Sequence, residues 1–250
     1  MRRLTKHIPN TLTSLNLLCG SISIMLAFNG EILQSGYFLL LAFHFDIFDG
    51  LSARLLKAKS ELGQELDSLA DVVSFGLGPA AILFALLKPA LGIESIHFGS
   101  LPFKDYLVFI PFLLPVFAAL RLAKFNLDAG KSDVFAGMPT PANALMVLSI
   151  PLIANNHPDS FLVHWFNMPN FILVYSLLVS FLMVSPLPIY TFKLKGFSWS
   201  ENKWTFIFLA CVVIVLIIFG YSGLFLNVVL YIITGTILAL FLKSKSKKSG

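Results

Sequence analysis

Eight stretches of this chain hold apolar residues in runs long enough to cross a bilayer, alone or with their helical flanks. They centre on residues 12–30, 34–54, 68–88, 106–124, 141–156, 169–187, 204–220 and 222–242. Each predicts a membrane-spanning helix, because only a helix satisfies its own backbone polar groups where water is absent. The last two runs are parted only by the Gly220 to Gly223 region, which reads as a tight turn, and Pro139 with Pro141 reads as a turn that opens the fifth span. The longest polar connection, about residues 89–105, mixes Pro, Gly and Ser, and no linker, repeat or soluble second unit interrupts the pattern. The expected fold is all-α, a polytopic membrane helical bundle of about eight transmembrane helices, with residues 1–250 forming a single integral-membrane domain.

Composition fixes the solvent independently of the runs. Hydrophobic residues make up 57% of the 250 and charged residues 12%, with 25 Phe, values that exclude an ordinary soluble domain. With the N-terminus in the cytoplasm, eight spans put every Lys and Arg except Lys88 and Lys104 on the inner face, the asymmetry of the positive-inside rule, and both termini are then cytoplasmic. The net charge of +5 follows from that topology and from anionic headgroups, so no nucleic-acid partner is expected. RRLTKH at residues 2 to 7 precedes an uncleaved first span, since the stretch lacks a small-x-small cleavage site. Cys19 and Cys211 fall within spans and predict helix or lipid packing, with neither a disulfide nor a metal role.

Candidate chemistry gathers at residues 46–71, which read Asp46-x-x-Asp49-Gly50-x-x-Ala53-Arg54, eight residues, then Gly63-x-x-x-Asp67-x-x-x-Asp71. At about 100° per residue, Asp46, Asp49, Gly50 and Ala53 share one helix face, and Gly63, Asp67, Asp71, Ser74 and Gly78 share another. Four carboxylates turned towards one another repel unless cations sit between them, and two divalent ions roughly 3.5–4 Å apart are the usual solution. All-oxygen ligands favour Mg²⁺, Mn²⁺ or Ca²⁺ over zinc. The expected metal ligands are therefore Asp46, Asp49, Asp67 and Asp71, while Gly50, Ala53 and Gly63 leave room for a substrate to approach backbone and metal. A solvated helix end with ordinary charge is the bland alternative, and it does not require small residues at these fixed positions. His44 projects about 160° from Asp46 and is expected to pack or meet lipid.

At these residues the chain resembles the CDP-alcohol phosphotransferase family, whose signature of four aspartates, two glycines, Ala and Arg is matched without a departure. IPNTLTSLNLLCG at 8 to 20, RLAKFN at 121 to 126 and GMPTPANA at 137 to 144 look like that family's phosphatidylserine synthase branch. The resemblance implies a six-helix family core, to which two further spans are added here. It also implies metal-dependent transfer of the phosphatidyl group of CDP-diacylglycerol to the hydroxyl of L-serine, giving CMP and phosphatidylserine. Asp71 is then the general base as well as a ligand, Gly50 and Ala53 line the nucleotide, and a homodimer in a prokaryotic cell (inner) membrane is expected, with the active site on the cytoplasmic side.

The remaining polar residues carry two readings each. Arg54 suits a bidentate grip on phosphate oxygens or a topology anchor. Arg121, Lys124 and Asn126 fall at the cytoplasmic end of span four, where Arg121 is the candidate for an acceptor's carboxylate and Asn126 for acceptor contact, with anchoring as the alternative. Asn16 contacts nucleotide or bridges helices. Glycerol 3-phosphate or inositol phosphate is the alternative acceptor, and its phosphate would demand more than one Arg or Lys. A cation transporter would hold its acids near the midplane on broken helices, whereas these cluster at one interface. A lipid-scaffolding protein would need no metal-spaced acids.

Overall fold

The computed structural model describes residues 7–58, 60–96, 102–128, 134–190 and 199–248. Every apolar run lies on a helix. In chain order these are α1 (Ile8–Phe28), α2 (Ile32–Leu55), α3 (Glu61–Ala90), α4 (Leu113–Asp128), α5 (Thr140–Asn156), the short α6 (Phe161–Phe166), α7 (Pro169–Val184), α8 (Trp199–Phe219) and α9 (Ser222–Lys248). Among the described residues, five segments are long and apolar enough to cross a membrane by length and composition: Ile8–Phe28, Glu61–Ala90, Asp105–Leu127, Asn202–Phe219 and Ser222–Phe241. The chain is thus an integral membrane protein with an essentially all-helical fold. Of the other predicted spans, α5 and α7 are short at 17 and 16 residues, and α2, long enough at 24, carries the acids and is less apolar.

Two details depart from the expected pattern. A two-stranded antiparallel ribbon pairs β1 (Val134–Ala136) with β2 (Pro188–Tyr190), Phe135 opposite Ile189. The ribbon joins segments more than 50 residues apart, a pairing that hydropathy cannot reveal. Further, α3 is α-helical over Glu61–Asp71, widens to a π-helical stretch over Val72–Leu77 and resumes α-helix at Gly78. The wider turn changes the rotation per residue beyond Asp71; there Ser74 donates to the Asn16 carbonyl of α1, and Gly78 packs against Leu39 of α2.

The core is one cluster built around α1, α2, α3 and α5, with Leu39, Phe75, Leu83 and Leu148 fully buried. Small residues set the helix spacing: a Cβ on Gly20 would lie 2.7 Å from Ser74 Cα, and one on Gly76 3.0 Å from Pro115 Cα, so α1 and α4 approach α3 almost backbone to backbone. At the end of the bundle away from the acids, Phe28, Phe84 and Phe112 close a ring cluster with Phe84 centroids 5.5 Å from each of the others. The α8–α9 connection is a tight turn with Gly220 at φ +53°, as the glycines predict. Cys19 is buried, Cys211 half-buried, and both are free thiols. Exposed His44 bonds through Nδ1 to the Leu40 carbonyl at 2.7 Å and turns away from the acids.

Candidate functional site

The link between α2 and α3 is short because both helix ends are capped locally. After Leu55 the chain passes through Leu56 into Lys57 at φ +51°, and the Ala58 and Lys57 amides donate to the Ala53 and Arg54 carbonyls at 3.0 and 3.3 Å, the double closure of a left-handed helix stop. Three residues later the Ser60 hydroxyl accepts from the Gly63 amide at 3.0 Å and starts α3, with Glu61 in its first turn. The two acid-bearing helices are thereby brought side by side.

Asp46, Asp49 and Asp67 converge so that one oxygen from each lies within 4.8 Å of the others. At that separation each ionised pair repels by about 3 kcal/mol for an effective dielectric of 20. A triplet of carboxylates that is buried or half-buried is a donor set for hard divalent cations, and the fit is in the chemistry: all oxygen, multiply negative, and drawn from two helices. Asp71 is outside that triplet but within electrostatic reach of Asp46, Asp67 and Asp49, and of Arg121 on α4. Its Oδ1 is buried and has no partner.

Beside the triplet opens a cavity of about 360 Å³. Asp49 and Asp67 form one wall, Gly50, Ala53 and Arg54 continue along α2, and Gly63 and Gln64 belong to α3. The first two turns of α1 supply Pro9, Asn10 and Thr13, and α4 supplies Phe125. The positive end of the α1 dipole and the exposed Arg54 both favour an anion there. A Cβ added to Gly50 would meet nothing within 4 Å, so this glycine holds open cavity space, whereas Gly63 is tight, its virtual Cβ being 3.0 Å from Asn10 Oδ1.

The other residues named from sequence fall outside that cavity. Asn16 is fully buried, its carbonyl accepts from Ser74 Oγ at 3.1 Å, and neither polar atom of its side chain has a partner. Asn126 links α4 to α3, accepting from Gln64 Nε2 at 3.3 Å and donating to Ser68 Oγ at 2.9 Å, which is the geometry of a helix clamp. Arg121 donates from Nη1 to Thr140 Oγ1 at 2.8 Å, and its Nε is buried without a partner. Residues that sequence reasoning missed also shape the site. Thr13 lies 2.6 Å from Asp49 Oδ2, and Thr140 holds Arg121. Both fall within the quoted motifs, so the motif text held the signal, but periodicity gave no reason to choose them.

A helical membrane protein with three carboxylates converging beside a cavity suited to anions belongs to the class of integral-membrane proteins that handle phosphate-bearing substrates at an acidic, metal-compatible centre. The sequence pattern described as CDP-alcohol phosphatidyltransferase matches residues 6–182, well over half of the chain, and the chain belongs to that family of enzymes. A CDP-diacylglycerol--serine O-phosphatidyltransferase of Helicobacter pylori (strain 26695) is 30% identical over 244 residues, covering 95% of this chain and 92% of its own. One of Bacillus subtilis (strain 168) is 34% identical over 145 residues, 57% of this chain and 75% of its own. An archaetidylserine synthase of Methanothermobacter thermautotrophicus is 30% identical over 147 residues, 58% of each chain.

Proposed function

We propose that this protein transfers the phosphatidyl group of CDP-diacylglycerol to the hydroxyl of L-serine, releasing CMP and phosphatidylserine. The observation that carries the reading is the convergence of Asp46, Asp49 and Asp67 within 4.8 Å beside the cavity walled by Gly50, Ala53 and Arg54. Relatives named for this transfer support serine as acceptor. Divalent cations, Mg²⁺ or Mn²⁺, held by Asp46, Asp49 and Asp67 with Asp71 beside them, would neutralise the pyrophosphate and the departing CMP.

The chain's own residues do the rest. Arg54 grips pyrophosphate oxygens, Gly50 and Ala53 let the nucleotide lie against α2, and the diacylglycerol stays in the bilayer. Arg121, held by Thr140, takes the carboxylate of serine and brings its hydroxyl to Asp71. As the serine oxygen bonds to the lipid-bearing phosphorus, Asp71 takes the hydroxyl proton, and the bond from that phosphorus to the bridging oxygen breaks towards CMP. Asn126 supports this arrangement by bridging α4 and α3 through its side chain, and Asn16 accepts from Ser74 of α3 through its backbone carbonyl alone. Eight spans, cytoplasmic termini, a cytoplasmic-side site in a prokaryotic cell membrane and a homodimer complete the reading, supported by the distribution of Lys and Arg and by the family resemblance.

Purified protein supplied with CDP-diacylglycerol, Mg²⁺ or Mn²⁺, and labelled serine, glycerol 3-phosphate or inositol phosphate in parallel tests the acceptor. Label is expected to enter lipid from serine. Incorporation of glycerol 3-phosphate alone would overturn the acceptor while leaving the family intact.

A further inference from the structure

Among the described residues three buried nitrogen donors lack partners, Asn16 Nδ2 on α1 and the two that bear on the acceptor side, Arg121 Nε on α4 and Asn143 Nδ2 on α5. Each of the latter two is held from its other end. Arg121 Nη1 donates to Thr140 Oγ1 at 2.8 Å, and Asn143 Oδ1 accepts from the Tyr175 hydroxyl at 2.9 Å, an arrangement that leaves the amide nitrogen over. Thr140 and Asn143 are three residues apart in α5 and so are neighbours on one face of that helix, the face to which Arg121 is tied. Asn143 and Thr140 are both fully buried. The same guanidinium lies within electrostatic reach of Asp71, whose buried Oδ1 is an unpartnered acceptor.

We propose that Arg121 Nε and Asn143 Nδ2 together form a two-donor seat for the acceptor's carboxylate, which makes Asn143 a specificity-determining residue and Tyr175 the positioning residue that orients it. This rests on the reading of Arg121 and Asp71 as the acceptor side of the transfer. Unpaired donors inside a bilayer are costly, and a carboxylate relieves both at once, one oxygen for each nitrogen. The inventory also matches in sign: two donors and one positive charge face a carboxylate, and the orphan Asp71 oxygen faces a hydroxyl. A phosphate-bearing acceptor would bring nearly twice the negative charge to one guanidinium.

The test compares serine with serinol, in which a hydroxymethyl group replaces the carboxylate, in the full-length protein with CDP-diacylglycerol. Asn143→Asp keeps an acceptor for Tyr175 and replaces the donor with a repelling group. It is expected to raise the KM for serine by about tenfold to a hundredfold, to leave the KM for CDP-diacylglycerol unchanged, and to shrink the preference for serine over serinol by a similar factor. Tyr175→Phe, the milder change, is expected to shift the same preference by severalfold, and it provides the readout if Asn143→Asp does not accumulate. A merely structural role would slow both acceptors alike. An unchanged serine-to-serinol ratio in a folded variant overturns the two-donor seat alone. A wild-type protein with no preference for serine over serinol overturns the seat together with the acceptor reading beneath it.

Discussion

The Thr13 hydroxyl lies 2.6 Å from Asp49 Oδ2, tying the second turn of α1 to one of the three clustered carboxylates. The same hydroxyl lies 3.0 Å from the Pro9 carbonyl, so its single proton serves one acceptor at a time, and the charged, closer one has the stronger claim. Through this bond α1 sets which way Asp49 presents its remaining lone pairs.

Thr13→Val keeps the shape and removes the donor. Partners that orient a metal-binding carboxylate typically contribute 10- to 100-fold to metal affinity or activity, so the Mg²⁺ or Mn²⁺ concentration for half-maximal turnover should rise by about that factor. Thr13→Ser should restore most of it. A metal titration of all three proteins decides the matter, and identical titration curves would remove Thr13 from the site.

Two glycines in the same bundle should respond in opposite ways. Gly50 has open space where a Cβ would stand and sits inside α2, so Gly50→Ala should raise stability by up to about 1 kcal/mol through helix propensity while its methyl intrudes on the cavity and raises the KM for CDP-diacylglycerol. Gly20→Ala would force a methyl to 2.7 Å from Ser74 Cα, part α1 from α3 and cost about 1–3 kcal/mol. Thermal melts in detergent beside substrate titrations separate the two effects; a Gly50→Ala protein with unaltered KM would take Gly50 out of the substrate wall.

The contrast marks how far the sequence could be read. Apolar runs located the helices, since burying a backbone in lipid leaves few alternatives, and the spacing of Asp46, Asp49, Asp67 and Asp71 predicted four acids turned towards one another, of which the first three each have an oxygen within 4.8 Å of the others. The sequence could not say which glycines face a cavity and which face a neighbouring helix, because Gly50 and Gly20 differ only in what lies opposite. Nor could it foresee the widened turn after Asp71, which rephases α3, or the Tyr175 to Asn143 bond across 32 residues. The β1–β2 ribbon was hidden for the same reason, as long-range pairing leaves no local period.

Removal of divalent metal by a chelator should abolish turnover, and re-addition should restore it. Asp46→Asn, Asp49→Asn and Asp67→Asn each weaken the negative donor set, so each should lose most activity, with weaker binding of Mn²⁺ measured directly. Near-normal rates in all three variants would leave the carboxylate triplet without a catalytic role.

Asp71 differs from the other three by its place. It is outside the triplet, one helical turn beyond Asp67, with one unpartnered buried oxygen and with Asp46, Asp67 and Arg121 within electrostatic reach, and the proposed transfer assigns it to the acceptor. If it takes the acceptor's proton, its contribution falls on the chemical step, typically about 10²–10⁴-fold. Asp71→Asn should then bind CDP-diacylglycerol and metal close to normally while turnover drops by that factor. Direct titration of nucleotide and Mn²⁺ binding, set against single-turnover rates, distinguishes the roles: a variant whose binding falls in proportion to its rate would make Asp71 a fourth ligand, because a ligand's loss weakens the ground state as much as the transition state.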